Sequence, residues 1–233
     1  MAVKSNGKGG ATGKRGVAIE EAHNRIKNMI YLNQLAPGQK IIYSDLSKRI
    51  NTSVTPVIQA LNRLEANGFV NYIPNKGYFV GEITQEEAIE LYEAREALET
   101  YIIPQVIQNI TKSAIEEIKA LFRKYNREAA GGPNRKIILV DARFHLKLAE
   151  YSGNDIINAM LSDIYEKLYL KYRPEYLAAP QMREVSAEHR KILDALGRGD
   201  AQTAIETTIK HIAASKERIT SALQYRQETG FYQ

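Results

Sequence analysis

The stretch Ser53-Val54-Thr55-Pro56-Val57-Ile58-Gln59-Ala60-Leu61-Asn62-Arg63-Leu64-Glu65-Ala66-Asn67-Gly68 places apolar residues at Val57, Ala60, Leu61 and Leu64. That spacing is one face of an α-helix. Ser53 suits its N-cap, Pro56 is tolerated in its first turn and Gly68 ends it. Immediately upstream, residues 45–50 read as a short helix capped by Ser44, and Asn51-Thr52-Ser53 as the turn between the two. Further out, Ile19, Ala22, Ile26, Met29 and Ile30 give a helical period across residues 18–35, which Ala36-Pro37-Gly38 stops. Ile41-Ile42-Tyr43 reads as a short strand. Downstream, residues 69–73 and 78–80 read as two strands around the turn Pro74-Asn75-Lys76-Gly77. A helix, a helix-turn-helix and a hairpin in that order make a winged helix-turn-helix. In that plan the second helix of the pair enters the DNA major groove, and the hairpin lies along the flanking backbone or minor groove.

Charge agrees with that reading. Residues 1–80 hold 11 Lys/Arg against 4 Asp/Glu, a net of +7, whereas the whole chain of 233 residues is +5. A basic first third suits a head that meets a polyanion. The plainer alternative is a basic tail kept for solubility. Residues 1–17, rich in Gly, Ala, Lys and Ser, read as a disordered arm carrying Lys4, Lys8, Lys14 and Arg15. There is no cysteine, which excludes disulfides, thiolate zinc sites and a catalytic thiol. No stretch approaches the roughly 18 apolar residues of a membrane span, and no apolar run follows the N-terminal lysines as in a signal peptide. A cytoplasmic protein without a membrane partner is expected.

Residues 81–84 read as a linker. Thr84 and Glu87 have capping-box spacing and open an all-helical segment over residues 85–228, with six helices and no convincing strand. Three of the chain's four histidines fall on inward faces there. Asp141 and His145 are four residues apart and share a face with Ile137, Phe144 and Leu148. His189 lies with Val185, Ile192 and Leu196, and His211 with Ala204, Thr208 and Ser215. Three nitrogens and one carboxylate converging in a bundle suit zinc, nickel, iron(II) or manganese. The plainer alternative is three unrelated core histidines. Arg95 lies on an apolar face four residues before Glu99. It is either paired with Glu99 or a clamp for a ligand carboxylate. Asn154 is either a support for the metal site or a helix cap.

The runs Leu35-Ala36-Pro37-Gly38, residues 53–68 and Gly77-Tyr78-Phe79-Val80 resemble the head of the GntR family of bacterial regulators. The pattern Asp141-x-x-Phe144-His145, Ser152-Gly153-Asn154, Glu188-His189, Gly199-Asp200 and His211 resembles the helical effector domain of its FadR-like subgroup. The resemblance implies a mainly α protein: an N-terminal winged helix-turn-helix over 18–80, then an all-α antiparallel helical bundle over 85–228. It implies Asp141, His145, His189 and His211 as ligands of a divalent metal, zinc first. It also implies a small carboxylate effector held with Arg95 and Asn154, a homodimer, and a double-stranded DNA operator. Val54 and Ile58 stand where the family usually has DNA-reaching arginines. The residues left for DNA are Lys48, Arg49, Thr55, Gln59, Asn62, Arg63 and Lys76. Gln59 or Asn62 suits adenine, and valine or isoleucine a thymine methyl.

A ligand-responsive transcription regulator, a repressor by family habit, follows as the expected function. Two alternatives are a metal-dependent enzyme with an accessory DNA-binding head and a regulator whose metal is purely structural. The enzyme is disfavoured by the absence of an H-E-x-x-H run and of an evident general base, since Glu188 is expected to point away from His189.

Overall fold

A computed structural model describes residues 9–173, 176 and 179–229, with side chains from residue 16 onward except Ala179. The chain divides into two compact units, residues 1–82 and 83–233.

In the first unit, helix α1 (Gly9–Tyr31) buries Ala22, Ile26 and Ile30 against helix α3 (Val54–Ala66), which answers with Val57, Ala60, Leu61 and Leu64. Helix α2 (Tyr43–Arg49) packs on α3. Strand β1 (Lys40–Ile41) pairs antiparallel with β3 (Gly77–Val80), which pairs antiparallel with β2 (Val70–Ile73). The hairpin closes through Asn75 and Gly77, both at positive φ (64° and 93°), and Lys76 N donates to Ile73 O. A glycine at position 77 meets the positive φ without a Cβ penalty.

Two local expectations need correction. Helix α1 begins at Gly9 and so runs through half of the stretch expected to be a disordered arm; Lys4 and Lys8 lie outside the described residues. Once the amphipathic part is nucleated, extending a helix adds a hydrogen bond for each residue fixed, so weak formers are carried along. Ser44 is not the cap of α2. Ile42 occupies that position without a side-chain bond, and Ser44 is inside the helix, its carbonyl accepting from Ser47 Oγ. Ser53 holds the N-cap position of α3 with extended backbone but makes no capping bond.

The second unit consists of helices α4 (Gln85–Asn109), α5 (Lys112–Ala130), α6 (Arg135–Tyr151), α7 (Asp155–Lys171), α8 (Ala179–Arg198) and α9 (Ala201–Thr229). Helix α4 lies along α9, which also packs on α8, and α6 is held between α5 and α7. The helix starts are chemically marked. Thr84 Oγ1 accepts from Glu87 N, Thr111 Oγ1 from Ala114 N, and Asn134 Oδ1 from Lys136 N and Ile137 N. A shared core includes Ile102, Ile103, Phe144, Leu148, Leu161, Ile192, Ile212 and Ile219. Among the described residues, no helix is long and apolar enough to cross a membrane.

Candidate metal and effector site

Helices α6, α8 and α9 each turn one histidine into this core. His145, His189 and His211 are 1%, 0% and 1% exposed, and their metal-binding atoms lie within 4.8 Å of one another. His145 Nε2 is 3.2 Å from both His189 Nε2 and His211 Nε2. Asp141, one turn before His145, brings Oδ1 to 3.4 Å from His189 Nε2. The four residues expected to act together are thus brought together.

Two carboxylates fix the rings. Glu99 on α4 accepts from His145 Nδ1 at 2.7 Å, and Glu188 on α8 accepts from His211 Nδ1 at 2.7 Å. An imidazole that donates from Nδ1 keeps, when neutral, a bare lone pair on Nε2. The Nε2 atoms of His145 and His211 then face each other at 3.2 Å with no proton to share. Such an arrangement is repulsive unless a cation lies between them. A tetrahedral ion with bonds of about 2.0–2.1 Å to nitrogen separates its ligand atoms by roughly 3.3–3.4 Å, close to the spacings here. The residues therefore fit a divalent ion.

Burial disfavours charge on two of the three rings. Burial, helped by the neighbouring His211 and His145, holds His189 well below its ordinary value of 6.5. Burial also lowers His211, against the upward pull of its bond to Glu188. Burial pushes Glu99 up, but His145 and Arg95 outweigh it and hold the carboxyl below its usual range. Burial likewise raises Glu188, and the bond from His211 more than reverses it. Phe144 stacks on His189 with ring centres 4.2 Å apart, which excludes water from one face of the cluster.

Beside the histidines lies a cavity of about 70 Å³ whose wall includes Asp141 and Arg95. Arg95 is paired with Glu99, one of its two expected partners. Its Nε donates to Glu99 Oε1 at 2.9 Å, and its guanidinium lies 4.9 Å and 4.5 Å from the ring centres of Tyr92 and Tyr165. Yet Nη2, fully buried, has no hydrogen-bond partner. Glu99 thus links Arg95 to His145, and it also accepts from Tyr165 OH at 2.7 Å. Asn154 is elsewhere. It caps α7 by accepting from Ile157 N and does not line the cavity, so its assignment to the effector site is corrected to a helix cap.

Glu188 points away from His189 and still joins the cluster. It is one residue from His189, so helical periodicity turns it off that residue's face, but the same rotation aims it at α9 and His211. Arg218, which also donates to Glu188, was not singled out by the sequence, because an arginine on a long helix reads as a solvated one. The i, i+4 spacing of Arg95 and Glu99 was the one signal available for Glu99's part.

On the first unit, Lys48, Arg49, Thr55 and Lys76 are exposed and Gln59 is half-buried. Gln59 Oε1 is without a hydrogen-bond partner. Asn62 accepts from Tyr78 OH, and Arg63 Nη1 donates to Glu20 of α1 at 3.0 Å. The last two are therefore engaged inside the unit.

Comparison with known proteins agrees with both units. Residues 18–80 match the bacterial regulatory proteins of the gntR family, and residues 90–214 match the FCD domain. The chain is a member of the GntR family carrying an FCD domain: a DNA-binding transcription regulator, not an enzyme. It is 24% identical to the HTH-type transcriptional regulator McbR of Escherichia coli K12, covering 89% of this chain and 92% of McbR. It is 26% identical to a probable D-xylose utilization operon transcriptional repressor of Paenarthrobacter nicotinovorans, covering 78% of this chain and 79% of that one. Among solved structures, E. coli McbR/YncC superposes with a TM-score of 0.73 at 22% identity, over 89% of this chain and 98% of that one. A GntR regulator from Rhodococcus sp. RHA1 gives 0.73 at 19% identity, over 92% and 99%. At such identities the likeness speaks for the fold alone.

Proposed function

We propose that this regulator holds a divalent metal on Asp141, His145, His189 and His211, and that a small carboxylate binding beside it changes the protein's affinity for its operator. Zinc is the first candidate, with nickel, manganese or iron(II) also compatible with nitrogen and oxygen ligands. The carrying observation is the pair of Nε2 atoms 3.2 Å apart, each on a ring whose other nitrogen is engaged by a carboxylate. Glu99 and Glu188 act as the outer support that orients the ligand rings. Arg95 supplies the charge for the acid, since its Nη2 is buried and unbonded at the cavity wall.

In the DNA-binding unit, Thr55 and Gln59 on the first turns of α3 are the residues for base edges, and Lys48, Arg49 and Lys76 for phosphates. Two chains would form a homodimer on a pseudo-palindromic site. Repression is favoured by the name of the Paenarthrobacter relative. An acid that binds one of two states of the effector domain better shifts the protein toward that state, by no more than its difference in affinity.

Elemental analysis of the purified chain after zinc dialysis tests the site. One ion per chain is expected, abolished in His211→Ala. Failure to retain zinc, nickel or manganese at neutral pH would contradict it.

A further inference from the structure

We infer that helix α3 reads thymine methyl groups: Val54 and Ile58 form an apolar ridge that seats on the C5-methyls of T·A pairs, so the operator is A·T-rich where α3 enters the major groove. This rests on the proposed seating of α3 in that groove and names the base edge it recognises.

The outward face of α3 carries the argument. The residues at the start of a recognition helix are the ones that meet base edges. From Val54 to Asn62 the helix holds no charged side chain, and its single basic residue, Arg63, donates to Glu20. Asn62, one turn beyond Ile58, accepts from Tyr78 OH. Gln59 is half-buried, and its Oε1 is closed off from solvent. The first two turns therefore present Val54, 36% exposed, with Thr55 exposed and Ile58 half-buried. The core face of α3 is a separate one, made by Val57, Ala60, Leu61 and Leu64. Val54 and Ile58 are four residues apart, so they sit one above the other. Both are β-branched, and a helix holds such side chains near one rotamer, so the ridge is stiff before DNA arrives.

The base edges decide what such a ridge can read. Among the groups that the four base pairs show in the major groove, the thymine C5-methyl is the apolar one. A valine or isoleucine laid against it removes carbon from water on both sides. Laid against a G·C pair, the same side chain would cover guanine O6 and N7 and the cytosine amino group with carbon, stripping their water without a replacement bond. Reading guanine takes a pair of donors such as an arginine's, and the first turns of α3 hold none. The exposed cations Lys48, Arg49 and Lys76 lie on α2 and at the hairpin turn. The first helix of such a pair crosses the sugar-phosphate backbone, so charge on it serves phosphates and not bases.

The test begins with selection of duplexes from a random pool by the purified full chain, followed by sequencing. The enriched sites should share T·A pairs, and sites fixed at G·C pairs alone overturn the inference. If no sequence is enriched, sequence reading by the head itself fails, and this inference with it. The best duplex is then remade with deoxyuridine for each thymidine in turn, which removes one methyl and leaves every hydrogen-bonding group in place. At one or more positions affinity should fall about fourfold, the scale of burying one methyl group. No loss at any position contradicts methyl reading. The same pair of duplexes is titrated with a chain carrying both Val54→Ala and Ile58→Ala. Its preference for thymine over uracil at those positions should shrink toward one. A folding defect would weaken both duplexes together and leave that ratio as it was, so a ratio that persists in the double variant contradicts the assignment to Val54 and Ile58.

Discussion

Each ring in the histidine cluster is only as good a ligand as the carboxylate behind it. Glu188→Gln keeps the shape of the side chain but removes the charge that accepts from His211 Nδ1. Zinc affinity should fall 10–100-fold, as for other lost outer-shell partners, while the metal-free thermal midpoint stays close to that of the parent; competition with a chelating dye measures it. Acidity gives a second prediction. His189 and His211 both titrate below the ordinary value of 6.5 because their burial disfavours the charged ring. Below that pH the unfolded chain takes up protons that the folded one refuses, so stability present above it drains away as pH falls. The lowered Glu99 and Glu188 extend the loss in the same direction below the ordinary carboxylate value of 4.5. The thermal midpoint of chelator-treated protein should therefore fall between about pH 7.5 and pH 5.5; a midpoint that rises would contradict neutral histidines. Asp141 and His145 were legible in the sequence because one helix turn separates them. Glu188 was not, because its partner is on another helix and periodicity within α8 says nothing about α9.

Helix ends show how far local chemistry carries. Asn154 is a cap and nothing in the cavity, so Asn154→Ala should cost about 1 kcal/mol of stability and leave zinc affinity unchanged. Urea unfolding and metal titration of the same variant separate the two; a fall in zinc affinity would restore Asn154 to the site. The cap at Thr84 was readable because a capping side chain and its partner are three residues apart. The start of α2 was not. Its N-cap position falls on Ile42, whose extended backbone follows from β1 pairing with residues near 79, far away in sequence. Likewise Arg63 read as a DNA-facing residue on the helix wheel, and only the packing of α1 on α3 brings Glu20 to it. At the hairpin tip, Lys76 is exposed. Lys76→Ala should weaken binding to all DNA sequences alike and reduce the slope of log affinity against log salt by about one, as loss of a single phosphate contact does.

For the chain as a whole, the sequence carries the division of labour in its charge. The net of +7 in residues 1–80 against +5 overall places the polyanion-binding capacity in the first unit, and the histidines place the chemistry in the second. The cavity's character was not legible, since its wall draws on α4, α5, α6, α7, α8 and α9 and exists only once they pack. The proposed function joins a zinc-loaded effector domain to a sequence-reading head. The direct measurement is a competitive titration of the zinc-loaded full chain onto the DNA upstream of its own gene, against a scrambled duplex of equal length, at two salt concentrations, with and without a small carboxylate such as acetate. The account predicts a preference of roughly 10³ or more for the upstream DNA, a ratio usual for specific binding, and a change in that affinity when the acid is added. Equal binding to both duplexes, lost steeply as salt rises and indifferent to zinc and acid, would contradict it.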